Sequence, residues 1–168
     1  MRIVIVPLGH EHAEGLVAAL DHPDVARFLT GPDVTTVEAL HVRIDKLGVG
    51  PRDPRERWEN FAILLDGVVI GRLEASLYDD DAWAEIAYLV GPTYQRHGYA
   101  REAVRWLLDH LGCETWVAIH PANARSIALV EALGFVHRET PPARPLGSYD
   151  PGDVVLSAGT TRRRAGAP

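Results

Sequence analysis

The stretch Ala84-Glu85-Ile86-Ala87-Tyr88-Leu89-Val90, read on through Tyr94-Gln95-Arg96-His97-Gly98-Tyr99-Ala100-Arg101 to Leu111, decides how this chain folds. Its first part reads as a strand, its second as a glycine-containing turn, its third as an amphipathic helix. In that helix Ala100, Ala103, Val104, Leu107, Leu108 and Leu111 recur at three- and four-residue spacing and make one face apolar. Gly112 ends it. A helix N-terminus offers unpaired N–H groups and the positive end of the helix dipole. Gly98 lets a ligand come close to the backbone, and Ala100 is small enough to do the same. Arg96, His97 and Arg101 add cationic donors around the turn. These features describe an anion site suited to a phosphate or pyrophosphate. Taken alone, they also describe a solvated strand–helix connection whose arginines keep it soluble.

Working outward, Phe61–Leu65 and Val68–Tyr78 flank Asp66-Gly67, a dipeptide that favours a two-residue hairpin. Asp79-Asp80-Asp81 is a second turn, leading into the strand Trp83–Val90. Upstream, Arg2–Pro7 is a first strand, and Ala13, Leu16, Val17 and Leu20 fall at helical spacing in His10–Leu20. Asp21-His22-Pro23 stops that helix, and Pro23–Leu29 forms a short helical turn. Thr35 or Thr36 caps a helix to about Leu47, followed by a surface loop over Gly48–Arg57. Downstream, Glu114–His120 is a strand. Asn123 caps a helix that Gly134 closes after Leu133. Phe135–Glu139 and Asp153–Ser157 are closing strands around a Pro/Gly-rich loop, Pro141–Gly152. The order is a helical pair, a β-meander, then βαβαβ and a last strand, which predicts a mixed α/β sandwich. One domain over residues 1–159 is expected, with a disordered tail over 160–168.

Composition supports an ordinary globular chain: 168 residues, 46% hydrophobic and 24% charged. A net charge of −6 disfavours non-specific nucleic-acid binding and suits a cationic partner such as an amine. Cys113 is the one cysteine, so no intrachain disulfide forms. Its place at a strand start reads as core rather than nucleophile. The apolar start of the chain is too short for a signal sequence or a membrane span, so a cytoplasmic protein with no membrane partner is expected. His10-x-His12 lacks a supporting carboxylate or cysteine pattern, so no metal is expected.

Two motifs resemble those of the GNAT superfamily of N-acetyltransferases. Gln95-x-x-Gly98-x-Ala100 resembles its Q/R-x-x-G-x-G/A signature, after a strand like that of Ala84–Val90. Asn123-Ala124-Arg125-Ser126, with Glu131-Ala132-Leu133-Gly134-Phe135, resembles its N-x-x-S-x-x-x-x-E-K-L-G-F signature. His22–Leu29 is similar to the early region of the subgroup that acetylates ribosomal-protein N-termini. The resemblance implies a central, mostly antiparallel mixed sheet of about seven strands, flanked by about four helices and splayed between the fourth and fifth strands. It implies acetyl-CoA as cofactor and an amine as acceptor, either a small molecule or a protein N-terminus, and it allows a homodimer. Backbone amides of Arg96, His97, Gly98, Tyr99, Ala100 and Arg101 would bind the CoA pyrophosphate, with Gln95 opening the loop. Leu89 and Val90 would pair with the pantetheine arm. A backbone N–H at the splay, that of Val90 or Leu89, would polarise the thioester carbonyl. Asn123 would bond the pantetheine or the acceptor side, and Ser126 would face the thiol.

An acceptor amine must be neutral to attack, which calls for a base. Glu85, on the strand that carries the thioester, is the candidate. Its competing reading is an exposed strand glutamate. Tyr88, three residues on, points to the opposite face by strand alternation. His120 is a second candidate base, since histidine as a residue type exchanges protons near neutral pH. Glu74 and Asp79 are placed to hold a cationic substrate. Many members of the superfamily carry a tyrosine on the second helix that protonates the leaving thiolate. Val130 stands at that place here. Ser126 or water then takes the role, or the thiolate leaves unaided. The same gap leaves a second class of function open, a catalytically inert acyl-CoA-binding or sensing module.

Overall fold

The computed structural model describes residues 2–28, 36–79, 82–139, 142 and 146–159. Seven strands build one sheet: β1 (Val4–Pro7), β2 (Arg57–Leu65), β3 (Val68–Tyr78), β4 (Trp83–Val90), β5 (Glu114–Ile119), β6 (Val136–His137) and β7 (Val154–Ala158). Their spatial order is β1-β2-β3-β4-β5-β7-β6. Every neighbouring pair is antiparallel except β4 with β5, which run parallel because a helix crosses between them. Among the described residues there are five α-helices, one more than expected because the short turn at Pro23 is helical: α1 (Ala13–Leu20), α2 (Pro23–Ala26), α3 (Val37–Val49), α4 (Tyr99–Leu111) and α5 (Ala124–Glu131).

The apolar stripe of α4 does what its spacing demands. Ala103, Val104, Leu107 and Leu108 are buried against Phe61, Ile63, Leu73, Ala75, Leu77, Ala84 and Ile86, and Val130 of α5 joins the same core. A separate cluster of Ala13, Leu16 and Leu40, with Val69 packed on it, holds α1 and α3 to the opposite face. A register shift opposite Ile63/Leu64 lets β3 serve both clusters. After it, Ile70 and Leu73, three residues apart, face the α4 core. A third cluster of Tyr78, Trp83, Trp116, Leu146 and Val155 closes the sheet where β4 and β5 begin.

The expected hairpin is present, with Asp66 at φ 49° and Gly67 at φ 82°. Most differences lie at element ends. The helix expected from His10 opens as a 3-10 turn over His10–His12 before α1. α3 runs past Leu47 to Val49, with Thr36 as its cap. β2 extends back to Arg57, since its neighbour β3 is eleven residues long and supplies partners for it. The closing strand expected over Phe135–Glu139 shrinks to Val136–His137, because it pairs only with β7 at the sheet edge. The α5 helix stops at Glu131 rather than Leu133. Leu29 and Thr35, Asp80 and Asp81, Pro141, and the 160–168 tail, on which further expectations fell, lie outside the described residues.

Candidate active site

β4 and β5 pair only over Trp83–Glu85 and Glu114–Trp116. Beyond that point each strand keeps its outer partner. Val90 remains opposite Gly71 of β3, and Ile119 opposite Val154 of β7. The two inner edges therefore part, and the splay expected between the fourth and fifth strands is there. Which backbone groups face the gap follows from the ladder. Gly91 N–H donates to the Ile70 carbonyl at 2.9 Å, and alternate residues of an antiparallel strand point the same way. Leu89 thus turns its backbone polar groups to β3, while Tyr88 and Val90 turn theirs to the gap. Of the two residues expected to meet a pantetheine arm with their main chain, Val90 is the one so placed.

At the wide end of the gap lies the turn before α4. Gln95 bends back so that its Nε2 donates to the Val90 carbonyl at 3.1 Å. Arg96 has φ 64°, and Gly98, the residue before the first turn, has φ 86°, in the left-handed region that favours glycine. No side chain caps the N-terminus of α4. By contrast Thr36 Oγ1 accepts from Ala39 N–H at 3.1 Å at α3, and Asn123 Oδ1 accepts from Ser126 N–H at 3.2 Å at α5. The donors of the first turn of α4 thus have no capping side chain. Arg2 also reaches this turn. Its guanidinium donates to the His97 carbonyl and lies 4.8 Å from the Tyr99 ring centre, and Glu102 holds its backbone N–H. Sequence reading missed Arg2, which is 95 residues from His97 and belongs to no motif.

Tyr88 and Ser126 meet across the mouth of α5. The tyrosine hydroxyl is 2.6 Å from Ser126 Oγ and donates to the Ser126 carbonyl at 3.3 Å. Burial pushes the Tyr88 phenol up to about 12, partly offset by the hydrogen bond with Ser126. Val130 is fully buried in the main core, against which Tyr88 also packs.

Glu85 projects from the other face of β4. It is 6% exposed, and its carboxylate accepts hydrogen bonds from Gly147 N–H at 2.7 Å, Ser148 N–H at 2.9 Å and the Ser148 hydroxyl. Its sequence-level alternative, an exposed strand glutamate, does not hold. These donors come from the loop before β7, whose Leu146 is buried with Trp83 and Trp116. Two residues on, Ala87 is exposed in the middle of the sheet. Its neighbour across β3 is Glu74, which is held by Arg43 at 2.9 Å and Arg72 at 3.0 Å. Two guanidiniums thus share this one carboxylate. Asp79 lies at the far end of β3, where it accepts from Trp83 Nε1 at 3.1 Å. His120 follows β5; its Nδ1 accepts from Ala122 N–H at 3.1 Å, and its ring lies 5.7 Å from that of Phe28. The structure thus gathers Val90 and Gln95–Arg101 at the gap, and joins Ser126 to Tyr88. It sets Glu85, Ala87 and Glu74 on the opposite face. Among the described residues no cluster of His, Cys, Asp and Glu could hold a metal, and no helix is long and apolar enough to cross a membrane.

A mixed sheet splayed after three parallel pairs, with an uncapped helix at its mouth, is the fold of acyl-CoA-dependent acyltransferases. The family described as acetyltransferase (GNAT) domain matches residues 2–136, and the chain belongs to that family. A curated relative, the [ribosomal protein bS18]-alanine N-acetyltransferase of Escherichia coli (strain K12), is 35% identical over 85 residues, covering 48% of this chain and 56% of the relative. The chain therefore spans about half the length of the curated relatives it matches. Among solved structures, Mycobacterium smegmatis RimJ in complex with CoA-disulfide has a TM-score of 0.77 at 19% identity, covering 94% of this chain and 81% of that one. Spermidine N-acetyltransferase from Vibrio cholerae, in complex with CoA and spermine, has a TM-score of 0.69 at 15% identity, covering 93% of each chain. These two likenesses concern the fold.

Proposed function

We propose that this chain moves an acetyl group from acetyl-CoA to a primary amine by direct attack, in the cytoplasm, and that the amine is a protein or peptide N-terminus. One observation carries the reading. The gap between β4 and β5 presents the Val90 N–H near its wide end, and the uncapped first turn of α4 lies just beyond that end. Pantetheine suits the gap because it is an extended chain with amide groups, able to act as a partial strand. Backbone amides from Arg96 to Arg101 would hold the pyrophosphate, helped by the helix dipole. When bound, the cofactor supplies an activated acyl group whose carbonyl oxygen gains negative charge as the amine adds. The Val90 N–H, turned to the gap, would hydrogen-bond that oxygen.

On the acceptor face, Glu85 has two tasks. Its carboxylate fixes the Gly147–Ser148 loop with three hydrogen bonds. A carboxylate accepts about four, so Oε2 keeps a site from which water can relay the amine proton. The exposed Ala87 beside it gives the groove an open floor, which an extended peptide can cross. The curated relative's action on a ribosomal-protein alanine agrees with this choice.

The test is release of free CoA thiol from acetyl-CoA over a panel of N-terminal peptides, polyamines and aminoglycosides. Turnover is expected with peptides and is expected to be weak with polyamines. Tight CoA binding without turnover on any amine would instead establish the inert binding module.

A further inference from the structure

We propose that Arg2 is a positioning residue for the cofactor's diphosphate: by holding the His97 carbonyl it sets which way the Gly98 N–H points, a role that rests on the reading of the Arg96–Arg101 amides as the diphosphate site. The peptide unit between His97 and Gly98 is the one that the helix does not fix. Its successor is fixed, because the Gly98 carbonyl accepts from Glu102 N–H at 3.0 Å. The His97 carbonyl has no such helical bond. Among the described residues its partner is the Arg2 guanidinium, and the Gly98 N–H has no partner.

A trans peptide is planar, and its C=O and N–H point in opposite directions. No cis peptide bond occurs among the described residues. Holding the His97 oxygen on the Arg2 side therefore turns the Gly98 hydrogen to the other side. Arg2 reaches the turn from the β1 edge of the sheet, whereas the gap lies beyond β4. The competing arrangement is a flip of this one plane, which changes φ of Gly98 from its observed 86°. Glycine adopts either sign of φ at little cost, so the residue that permits the turn also permits the flip. A flipped plane would present a carbonyl oxygen, with its partial negative charge, where the Gly98 N–H would meet the diphosphate.

Arg2 is itself held in place. Glu102 Oε1 accepts from the Arg2 backbone N–H, and Glu102 Oε2 lies 3.7 Å from Arg2 Nε. The guanidinium lies 4.8 Å from the centre of the Tyr99 ring, and that ring stacks with His97 at 5.6 Å. A Cβ on Gly98 would stand 3.3 Å from Arg2 Nη2, so the bare glycine also leaves room for the guanidinium. The ion pair adds a second effect, since Arg2 offsets a carboxylate near the start of α4. Orientation of the peptide and compensation of charge are separable by substitution.

The test uses binding by the full chain, apart from turnover. Affinities of CoA, and of pantetheine, which lacks the diphosphate, are measured by titration for the unaltered protein and for Arg2→Met, Arg2→Lys and the double variant Arg2→Met with Glu102→Gln. Arg2→Met removes the donor and should weaken CoA about tenfold, the scale of one hydrogen bond from an exposed charged group, while pantetheine changes by no more than about twofold. Arg2→Lys keeps a charged donor and should recover most of the loss. The double variant restores the net charge without the donor, and should bind CoA as weakly as Arg2→Met. Recovery in the double variant would assign the whole effect to charge and overturn the proposal. Unchanged CoA binding in Arg2→Met would overturn it too, as would an equal loss for pantetheine, which would make Arg2 merely structural. An unaltered protein that binds CoA no better than pantetheine would overturn the diphosphate reading itself.

Discussion

Tyr88 shows how a single side chain links packing to pH. Its phenol is pushed up to about 12, while a tyrosine in an unfolded chain ionises near 10. Below pH 10 the phenol is neutral in both states. As pH rises beyond 10, the unfolded chain loses this proton first and the folded chain still holds it. Folding stability is therefore lost as pH climbs from about 10 to about 12, by roughly 3 kcal/mol for a two-unit shift. Tyr88→Phe removes the group and with it this loss. Urea midpoints should show unaltered protein ahead of the variant at pH 9, with the lead shrinking or reversing by pH 11. A lead that stays constant over this range would refute the raised value. Strand alternation in the sequence already put Tyr88 and Glu85 on opposite faces. It could not show what either touches. Their partners, Ser126 and the Gly147–Ser148 backbone, are 38 and 62 or more residues away. Arg2 was silent for the same reason: a lone arginine near a chain start has no periodicity and no neighbour that marks its target.

At the scale of elements, legibility followed the strength of the local signal. β3, β4 and α4 were readable almost to the residue. Each has a sharp boundary: Asp66-Gly67 before β3, the glycine turn before α4, and Gly112 after it. β6 was overread because Phe135–Glu139 has strand-like composition, whereas an edge strand lasts only as long as its one neighbour pairs with it. The α4 N-terminus carries the clearest prediction. Gly98→Glu incurs about 1–2 kcal/mol for a side chain at positive φ, and its Cβ would sit 3.3 Å from Arg2 Nη2, an exposed group that can move. The fold should survive. In the proposed function the added carboxylate stands where the pyrophosphate would approach, so CoA affinity should drop about a hundredfold, the worth of two charge-assisted hydrogen bonds. Gly98→Ala bears the same backbone strain without the charge, and should lose far less. Equal losses in the two variants would show that strain, and not an anion, governs the site.

For the whole molecule, the sheet is two halves joined by three residue pairs. β1 to β4 share one continuous ladder, and β5, β7 and β6 share another. α4 packs in the core that both groups share. The open gap leaves strand-edge donors at Tyr88 and Val90 with no strand to meet. A bound pantetheine would act as the missing strand, so its binding should add protection at particular amides. In native-state hydrogen exchange, Leu89 N–H, turned to β3, should be slow with or without CoA. Val90 N–H, turned to the gap, should be fast alone and slow by at least about tenfold once saturated with CoA. The alternation is the discriminating feature. Binding that merely stabilised the whole fold would slow both amides by the same factor, up to about 2.7 kcal/mol at a hundred times Kd. Parallel slowing of Leu89 and Val90 would therefore refute insertion between the strands, and a change at Val90 alone would place the arm in the gap.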